Sequence, residues 1–236
     1  MSIQKSIGFA VVVLTLVGGA AFAQQEPKKV DAKRQGDPYY LATCPVSGEK
    51  LGSMGDPIIK IYDGREVRFC CEGCISKFEK NQAANLIKVD ESMKKDQLVR
   101  YPLKTSVVSG KPLPEKPVDF VHNNRLIRLV DAQEKERFLK ESLRYIGELD
   151  KAVISSGKDY PLKTCVVSGE KFGGSMGAPL DLVIANRWIR ICCKGCRKDL
   201  EKTPADYIAK LGSSAQDQEM EKKHDSGRPA DAGSEK

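Results

Sequence analysis

The chain has 236 residues, 40% apolar and 30% charged, with 20 Gly, 12 Pro and 8 Cys, a composition that excludes collagen, a coiled coil and wholesale disorder. Its net charge of +7 arises from 39 basic against 32 acidic residues. They are mixed along the chain rather than gathered into the basic stripe of a nucleic-acid binder, so no nucleic-acid partner is expected. With only 2 His, imidazole-rich metal sites are excluded, and the cysteines point to thiol chemistry or disulfides.

In chain order, Lys5 precedes an apolar run over 7–17, and Ala21-Phe22-Ala23 has the small-x-small form that a signal peptidase cuts after. Residues 1–23 therefore read as a signal peptide, with the mature chain starting at Gln24 and a periplasmic or secreted location. The apolar run is short of the roughly 20 residues of a membrane span, and no span is expected after the signal is removed. Residues 24–37 are polar and charged and read as a flexible leader.

Three repeats follow. Tyr39-Tyr40-Leu41-Ala42-Thr43-Cys44 recurs as Tyr101-Pro102-Leu103-Lys104-Thr105-Ser106 and as Tyr160-Pro161-Leu162-Lys163-Thr164-Cys165, each followed by Val-Ser-Gly. Such self-similarity has to be settled before any fold is assigned. The boundaries are 38–98 for repeat 1, 99–157 for repeat 2 and 158–212 for repeat 3. Each repeat then offers two short β-like runs: 58–62 and 65–69 around Asp63-Gly64, 118–122 and 125–130 around Asn123-Asn124, and 180–185 and 187–191 around Asn186. These are hairpin signals. In the second run Val67 and Phe69, Ile127 and Leu129, or Ile189 and Ile191 share a face, with Arg68, Arg128 and Arg190 opposite. That alternation describes a half-buried strand. Arg65, Arg125 and Arg187 read as solvated surface.

A helix is expected after each hairpin. Ile75, Phe78 and Leu86 give its apolar stripe in repeat 1. Repeat 3 has Leu200 and then Thr203-Pro204, where a cap followed by Pro at the first helical position starts a new turn. Repeat 2 is expected to have the longest helix, 132–154, with Phe138, Leu139, Leu143, Ile146, Leu149 and Val153 along it. Met54 and Met176, each in Ser-Met-Gly, read as loop residues covering the core, with thioether ligation of Cu(I) as the alternative. His122 lies on a strand of the repeat without Cys and is not read as a ligand. Residues 213–236, which include His224, have almost no apolar content and read as a disordered tail.

All eight cysteines fall in repeats 1 and 3 at matching places: Cys44, Cys70, Cys71 and Cys74, and Cys165, Cys192, Cys193 and Cys196. In repeat 2 the corresponding residues are Ser106, Val130, Asp131 and Glu134. A Cys in a tight turn faces a helix start across the hairpin, where residues three or four apart share a face. Cys70 with Cys74, or Cys71 with Cys74, can thus converge with Cys44. Thiolates at a helix N-terminus are favoured, and soft thiolates select Zn(II) or Cu(I), one ion per Cys-bearing repeat. Four thiolates suit tetrahedral zinc; three leave an open site suited to Cu(I) or to hand-over. Residues 70 and 71 stand about 100° apart on a helix and about 180° apart on a strand, so the open site, with Cys71 turned into the hairpin core, is the expectation.

The pattern Cys-x-x-Ser-Gly, hairpin, Phe-Cys-Cys-x-Gly-Cys-x-x-x-Phe resembles the TRASH/YHS group of small treble-clef-like domains, which are associated with trafficking, resistance and sensing of heavy metals. The resemblance covers both Cys-bearing repeats and implies Cys44, Cys70 and Cys74, and Cys165, Cys192 and Cys196, as ligands. The chain departs from it in the long gap between Cys44 and Cys70, in Ser47 and Ser168 where YHS domains carry a turn Cys, and in the extra Cys71 and Cys193.

The expected fold is α+β: three tandem knuckle–β-hairpin–α-helix repeats of treble-clef-like form, the middle one a degenerate spacer with a long helix. The expected function is exported, non-enzymatic binding of a soft metal ion for sequestration, delivery or sensing, with no catalytic residues and an exported metal-handling protein as candidate partner. A disulfide-stapled extracytoplasmic interaction module and a thiol–disulfide oxidoreductase are the alternatives. Oxidising compartments favour the first, and the Cys71-x-x-Cys74 spacing raises the second.

Overall fold

The Asp-Gly and Asn-Asn signals set the registers of the hairpins. In the computed structural model, which describes residues 33–157, 160–174 and 177–212, β1 (Ile58–Tyr62) pairs antiparallel with β2 (Arg65–Phe69), Tyr62 lying opposite Arg65. The second hairpin, β3 (Val118–His122) with β4 (Arg125–Leu129), and the third, β5 (Leu180–Ile184) with β6 (Arg187–Ile191), repeat this register. Each two-residue turn has both residues at positive φ: 51° and 83° at Asp63-Gly64, 46° and 71° at Asn123-Asn124, and 53° and 56° at Ala185-Asn186. This is the turn whose twist matches the strands it joins. The predicted signal peptide, most of the leader, Met176 and the tail with His224 lie outside the described residues. No helix among the described residues is long and apolar enough to cross a membrane.

Two helices follow each hairpin, where one was expected in repeats 1 and 2: α1 (Glu72–Glu79) and α2 (Gln82–Leu98), α3 (Ala132–Lys140) and α4 (Ser142–Ser156), and α5 (Lys194–Lys202) and α6 (Pro204–Gly212), the last starting at the Pro204 that the sequence marked as a new start. The expected continuous helix over 132–154 is broken at Glu141, whose φ of −129° and ψ of 37° are not helical. The break shifts the phase of the apolar stripe. Phe138 stacks on Tyr145 at 5.9 Å above Leu149 and Val153, whereas Leu139 and Leu143, predicted to lie on that stripe, are 50% and 88% exposed. Among the described residues the longest helix is α2, with 17 residues, and it belongs to repeat 1.

Repeats 1 and 3 bury one continuous core. Tyr39, Phe69, Phe78 and Met93 belong to the same cluster as Ile189, Ile191, Leu200 and Leu211. Repeat 2 has its own cluster around Ile127, Leu129 and Phe138, which Val183 and Trp188 of repeat 3 join.

The second strands are buried on both faces where a repeat meets its neighbours. Every residue of β2 is buried, so the alternation that predicted one solvated face holds for side-chain type but not for exposure. Arg68 is ion-paired to Glu66 at 2.7 Å and donates to the backbone oxygens of Glu201 and Lys202 at the end of α5. Arg125, expected on the surface, is 3% exposed. It donates to both carboxylate oxygens of Asp37 at 2.7 and 2.8 Å, to Asp150 at 2.6 Å and to the Val183 carbonyl at 2.8 Å. Burial alone would lower its pKa, but Asp37 and Asp150 outweigh that and raise it.

The turn asparagines join one repeat to the next. Asn124 donates to the Glu66 carbonyl at 2.9 Å and accepts from Arg65 at 2.8 Å. Asn186 donates to the Leu126 carbonyl at 3.0 Å. Gln97, fully buried on α2, bonds to Tyr40, Asn124, Leu126 and Asn186. Repeat 2 thus seats on repeat 1, repeat 3 on repeat 2, and Arg68 of repeat 1 reaches α5 of repeat 3.

Residues 34–37, placed by sequence in the leader, are tied into this junction. Asp37 is 8% exposed, and Gly36 passes Asn123 so closely that a Cβ there would stand 2.7 Å from the Asn123 Cβ.

Candidate metal centre

The turn that carries the first cysteine is built the same way three times. The Cys44 N–H donates to the Glu49 carbonyl at 2.8 Å, and the Gly48 N–H returns to the Cys44 carbonyl at 2.9 Å. Ser106 with Lys111 and Gly110, and Cys165 with Glu170 and Gly169, make the same bonds at 2.8–2.9 Å. Gly48, Gly110 and Gly169 have φ of 75°, 71° and 77°, a left-handed backbone that glycine adopts without steric cost. This is why Val-Ser-Gly recurs.

The turn aims Cys44 at the end of β2 and the start of α1. Cys44, Cys70 and Cys74 bring their sulfurs within 4.8 Å of one another, and Cys165, Cys192 and Cys196 do the same. All six are buried. Cys70 and Cys74 stand 3.7 Å apart, and Cys192 and Cys196 3.6 Å.

Cys71 differs from expectation. Instead of turning into the hairpin core, it caps α1 with φ −159° and ψ 164°. This extended residue bends the chain between strand and helix. The bend brings its sulfur to 3.7 Å from Cys74 and 4.0 Å from Cys70. Cys193 caps α5 in the same conformation and lies 3.7 Å from Cys196.

These separations can be tested against an ion. Zn–S bonds of about 2.3 Å in a tetrahedron give sulfur–sulfur edges of about 3.8 Å. The 3.6–4.0 Å among the sulfurs at the strand–helix junction fit that figure and exceed the ~2.05 Å of a disulfide bond, and Cys44 and Cys165 lie within 4.8 Å of the two buried sulfurs of their own repeat. All eight cysteines are free thiols in this structure.

The electrostatics divide the thiols. Burial would raise the pKa of Cys44, but hydrogen bonds from the Ser47 hydroxyl and from backbone N–H groups of Ser47, Cys70 and Val46 bring it down to about 6. Cys165 falls to about 7 by the same balance, with Ser168 as the hydroxyl. Cys74 and Cys196 are pushed up to about 12 by burial and by donating to the neighbouring sulfurs. The backbone N–H of Cys74, the Cys74 side chain and the Gly73 N–H lower Cys71. Each cluster therefore mixes thiols that readily ionise with one that holds its proton, and a bound cation would displace that proton.

Ser47 and Ser168 supply hydroxyls 3.3 and 3.4 Å from Cys70 and Cys192. Sequence reading noted them only as departures from a family pattern. Their recurrence within Val-Ser-Gly was the available signal.

Repeat 2 fills the same position differently. Ser106 donates to the Glu134 carboxylate at 2.5 Å, and the Val130 N–H donates to the same oxygen at 3.0 Å. Asp131, at the position of Cys71, caps α3 by accepting from the Glu134 N–H at 2.8 Å. The repeat read from sequence as a degenerate spacer has a buried, hydrogen-bonded carboxylate in the place of Cys74. The signal was legible as Asp131-x-x-Glu134 before an apolar run, a capping-box pattern. His122 packs edge-on against Phe138 at 5.3 Å, and Met54 is 66% exposed, so it does not cover the core as predicted.

No protein-family model, curated protein or solved structure matches the chain.

Proposed function

We propose that this is an exported, non-enzymatic protein that holds one soft metal ion in each of two Cys-bearing repeats, for sequestration, delivery or sensing outside the cytoplasm. The convergence of three buried cysteine sulfurs in two separate repeats carries this reading. The resemblance of the Cys pattern to TRASH/YHS domains supports it, as does repeat 2, where a carboxylate and a serine replace the thiols at the same place. Export rests on the N-terminal sequence pattern alone.

Among soft ions the spacing favours Zn(II) in a four-thiolate shell. Cys44, Cys70 and Cys74 supply three donors, and Cys71, its sulfur already an edge length from Cys70 and Cys74, is the fourth that this reading calls for. In repeat 3, Cys165, Cys192 and Cys196 supply three donors, with Cys193, 3.7 Å from Cys196, as the fourth. Cu(I), which accepts three thiolates, would use the buried sulfurs and leave the cap cysteine free. An exported metal-handling protein is the partner this reading calls for.

Anaerobic purification followed by elemental analysis and thiol counting tests it. One equivalent of metal per Cys-bearing repeat is expected, and replacing Cys74 and Cys196 together by Ser should remove most of it. Undiminished metal in that double variant would overturn the site assignment.

A further inference from the structure

The four cysteines of each repeat differ in access. Cys44, Cys70 and Cys74 are 1%, 5% and 6% exposed, and Cys165, Cys192 and Cys196 are 1%, 5% and 7% exposed. Cys71 and Cys193 are half-buried. Only the cap cysteine can meet an incoming molecule.

The glycine of Cys-Cys-x-Gly-Cys lies beside that sulfur: a Cβ at Gly73 would stand 4.0 Å from the Cys71 sulfur, and one at Gly195 would stand 3.6 Å from the Cys193 sulfur, both in ordinary contact. The accessible sulfur also has a partner in reach, Cys74 or Cys196, at 3.7 Å in both repeats. These pairs lie three residues apart on the first helical turn, where side chains share a face. Cys70 is nearly as close at 4.0 Å, but it is the chain neighbour of Cys71, and a bond between them would close a strained ring through their own peptide.

We propose that Cys71 with Cys74, and Cys193 with Cys196, carry out thiol–disulfide exchange with small disulfides of the glutathione type, and that this exchange expels the bound ion. The exchange stands by itself; only the expulsion rests on the metal-binding reading.

In the first step the Cys71 thiolate attacks one sulfur of the disulfide. A Cys71–glutathione bond forms, the original S–S bond breaks, and one glutathione leaves as a thiolate that takes a proton from solvent. In the second step the Cys74 sulfur attacks the mixed disulfide at Cys71. The intramolecular bond forms and the second glutathione leaves in the same way. Two cysteine sulfurs are oxidised, one glutathione disulfide is reduced to two thiols, and the ion departs with its charge unchanged. The site loses two of its four donors, leaving Cys44 and Cys70, too few for a four-coordinate shell.

The experiment uses the full chain, loaded with Zn(II) anaerobically and then titrated with oxidised glutathione. Zinc release is followed with a chromophoric indicator, and disulfides are mapped by peptide mass spectrometry. The expected products are Cys71–Cys74 and Cys193–Cys196, formed in step with zinc release. Replacing Cys71 and Cys193 by Ser should slow release per bound zinc by about ten-fold or more, because the remaining thiols are buried. Replacing Cys74 and Cys196 by Ser should trap glutathione on Cys71 and Cys193, a result that does not depend on metal.

Disulfides that instead join Cys44 or Cys165 to another cysteine, or glutathione trapped elsewhere, would overturn the exchange. Zinc bound and retained while no disulfide forms would overturn it too, leaving the metal reading intact. Expected disulfides in a chain that takes up no zinc would support the exchange and sink the metal reading.

Discussion

Replacing Glu134 by Ala tests whether repeat 2 is held by a substitute for the thiol cluster. Glu134 is 1% exposed and Ser106 2%, so deleting the carboxylate leaves the Ser106 hydroxyl and the Val130 N–H without their acceptor. A hydrogen bond to a charged group contributes about 1.5–3 kcal/mol, and these two buried ones are lost besides that of the exposed Ser109, so destabilisation of about 3–6 kcal/mol is expected. That is a large fraction of the roughly 5–15 kcal/mol that holds a domain folded. With a urea dependence of about 2 kcal/mol per molar, the unfolding midpoint should fall by about 1.5–3 M, read by far-ultraviolet circular dichroism at pH 7. Metal content should be unchanged, because none of the eight cysteines is touched.

Glu134→Gln adds a pH readout. Burial would push the Glu134 carboxyl up, but hydrogen bonds from Ser106, Ser109 and the Val130 N–H hold it below its ordinary value. A carboxyl lowered on folding stabilises above its unfolded pKa, about 4.3, and that contribution is lost as pH falls through the folded value. The stability gap between the natural chain and Glu134→Gln should therefore be widest near neutrality and close on acidification. A midpoint in Glu134→Ala within about 0.3 M of the natural chain, or a gap that widens in acid, would refute this account of repeat 2.

Three further outcomes are expected. Gly36→Ala should cost about 1–3 kcal/mol in thermal or urea unfolding, since the residue has φ +73° and its Cβ would meet the Asn123 backbone oxygen at 2.9 Å. Arg125→Met should destabilise by about 3–5 kcal/mol, because it leaves Asp37 buried without its guanidinium, and the loss should exceed that of Asp150→Asn, whose side chain is 34% exposed. Replacing Cys71 and Cys193 by Ser should lower zinc affinity by at least about ten-fold if they complete four-thiolate shells, whereas unchanged affinity, measured by competition with a chelator, would assign each ion to the three buried sulfurs.

The hairpins were legible because Asp63-Gly64 and Asn123-Asn124 specify both turn and register, and the alternation of Val67 with Phe69 gave the inward face. The cysteine clusters were legible because the same spacing occurs twice. The break at Glu141 was not, since neither Gly nor Pro marks it and the apolar spacing can be threaded along one helix. The burial of Arg65, Arg68 and Arg125 was hidden for a different reason. Alternation shows which residues share a face, but not whether the second face meets water or another repeat. Only the fold brings Asp37 to Arg125 across 88 residues. Cys71 was misplaced because strand and helix periods give different directions at a junction, and the bend that decides between them is set by two dihedral angles.

In a solenoid each repeat touches only its sequence neighbours, so copies can be gained or lost along an open-ended stack. Here Arg68 of the first copy grips the end of α5 in the third, and the two copies share a core. Each copy therefore touches both others, the middle one through Asn124 and Val183, so that removing any one copy would strip contacts from the remaining two, and the middle repeat contributes to the shared packing though it carries no cysteine.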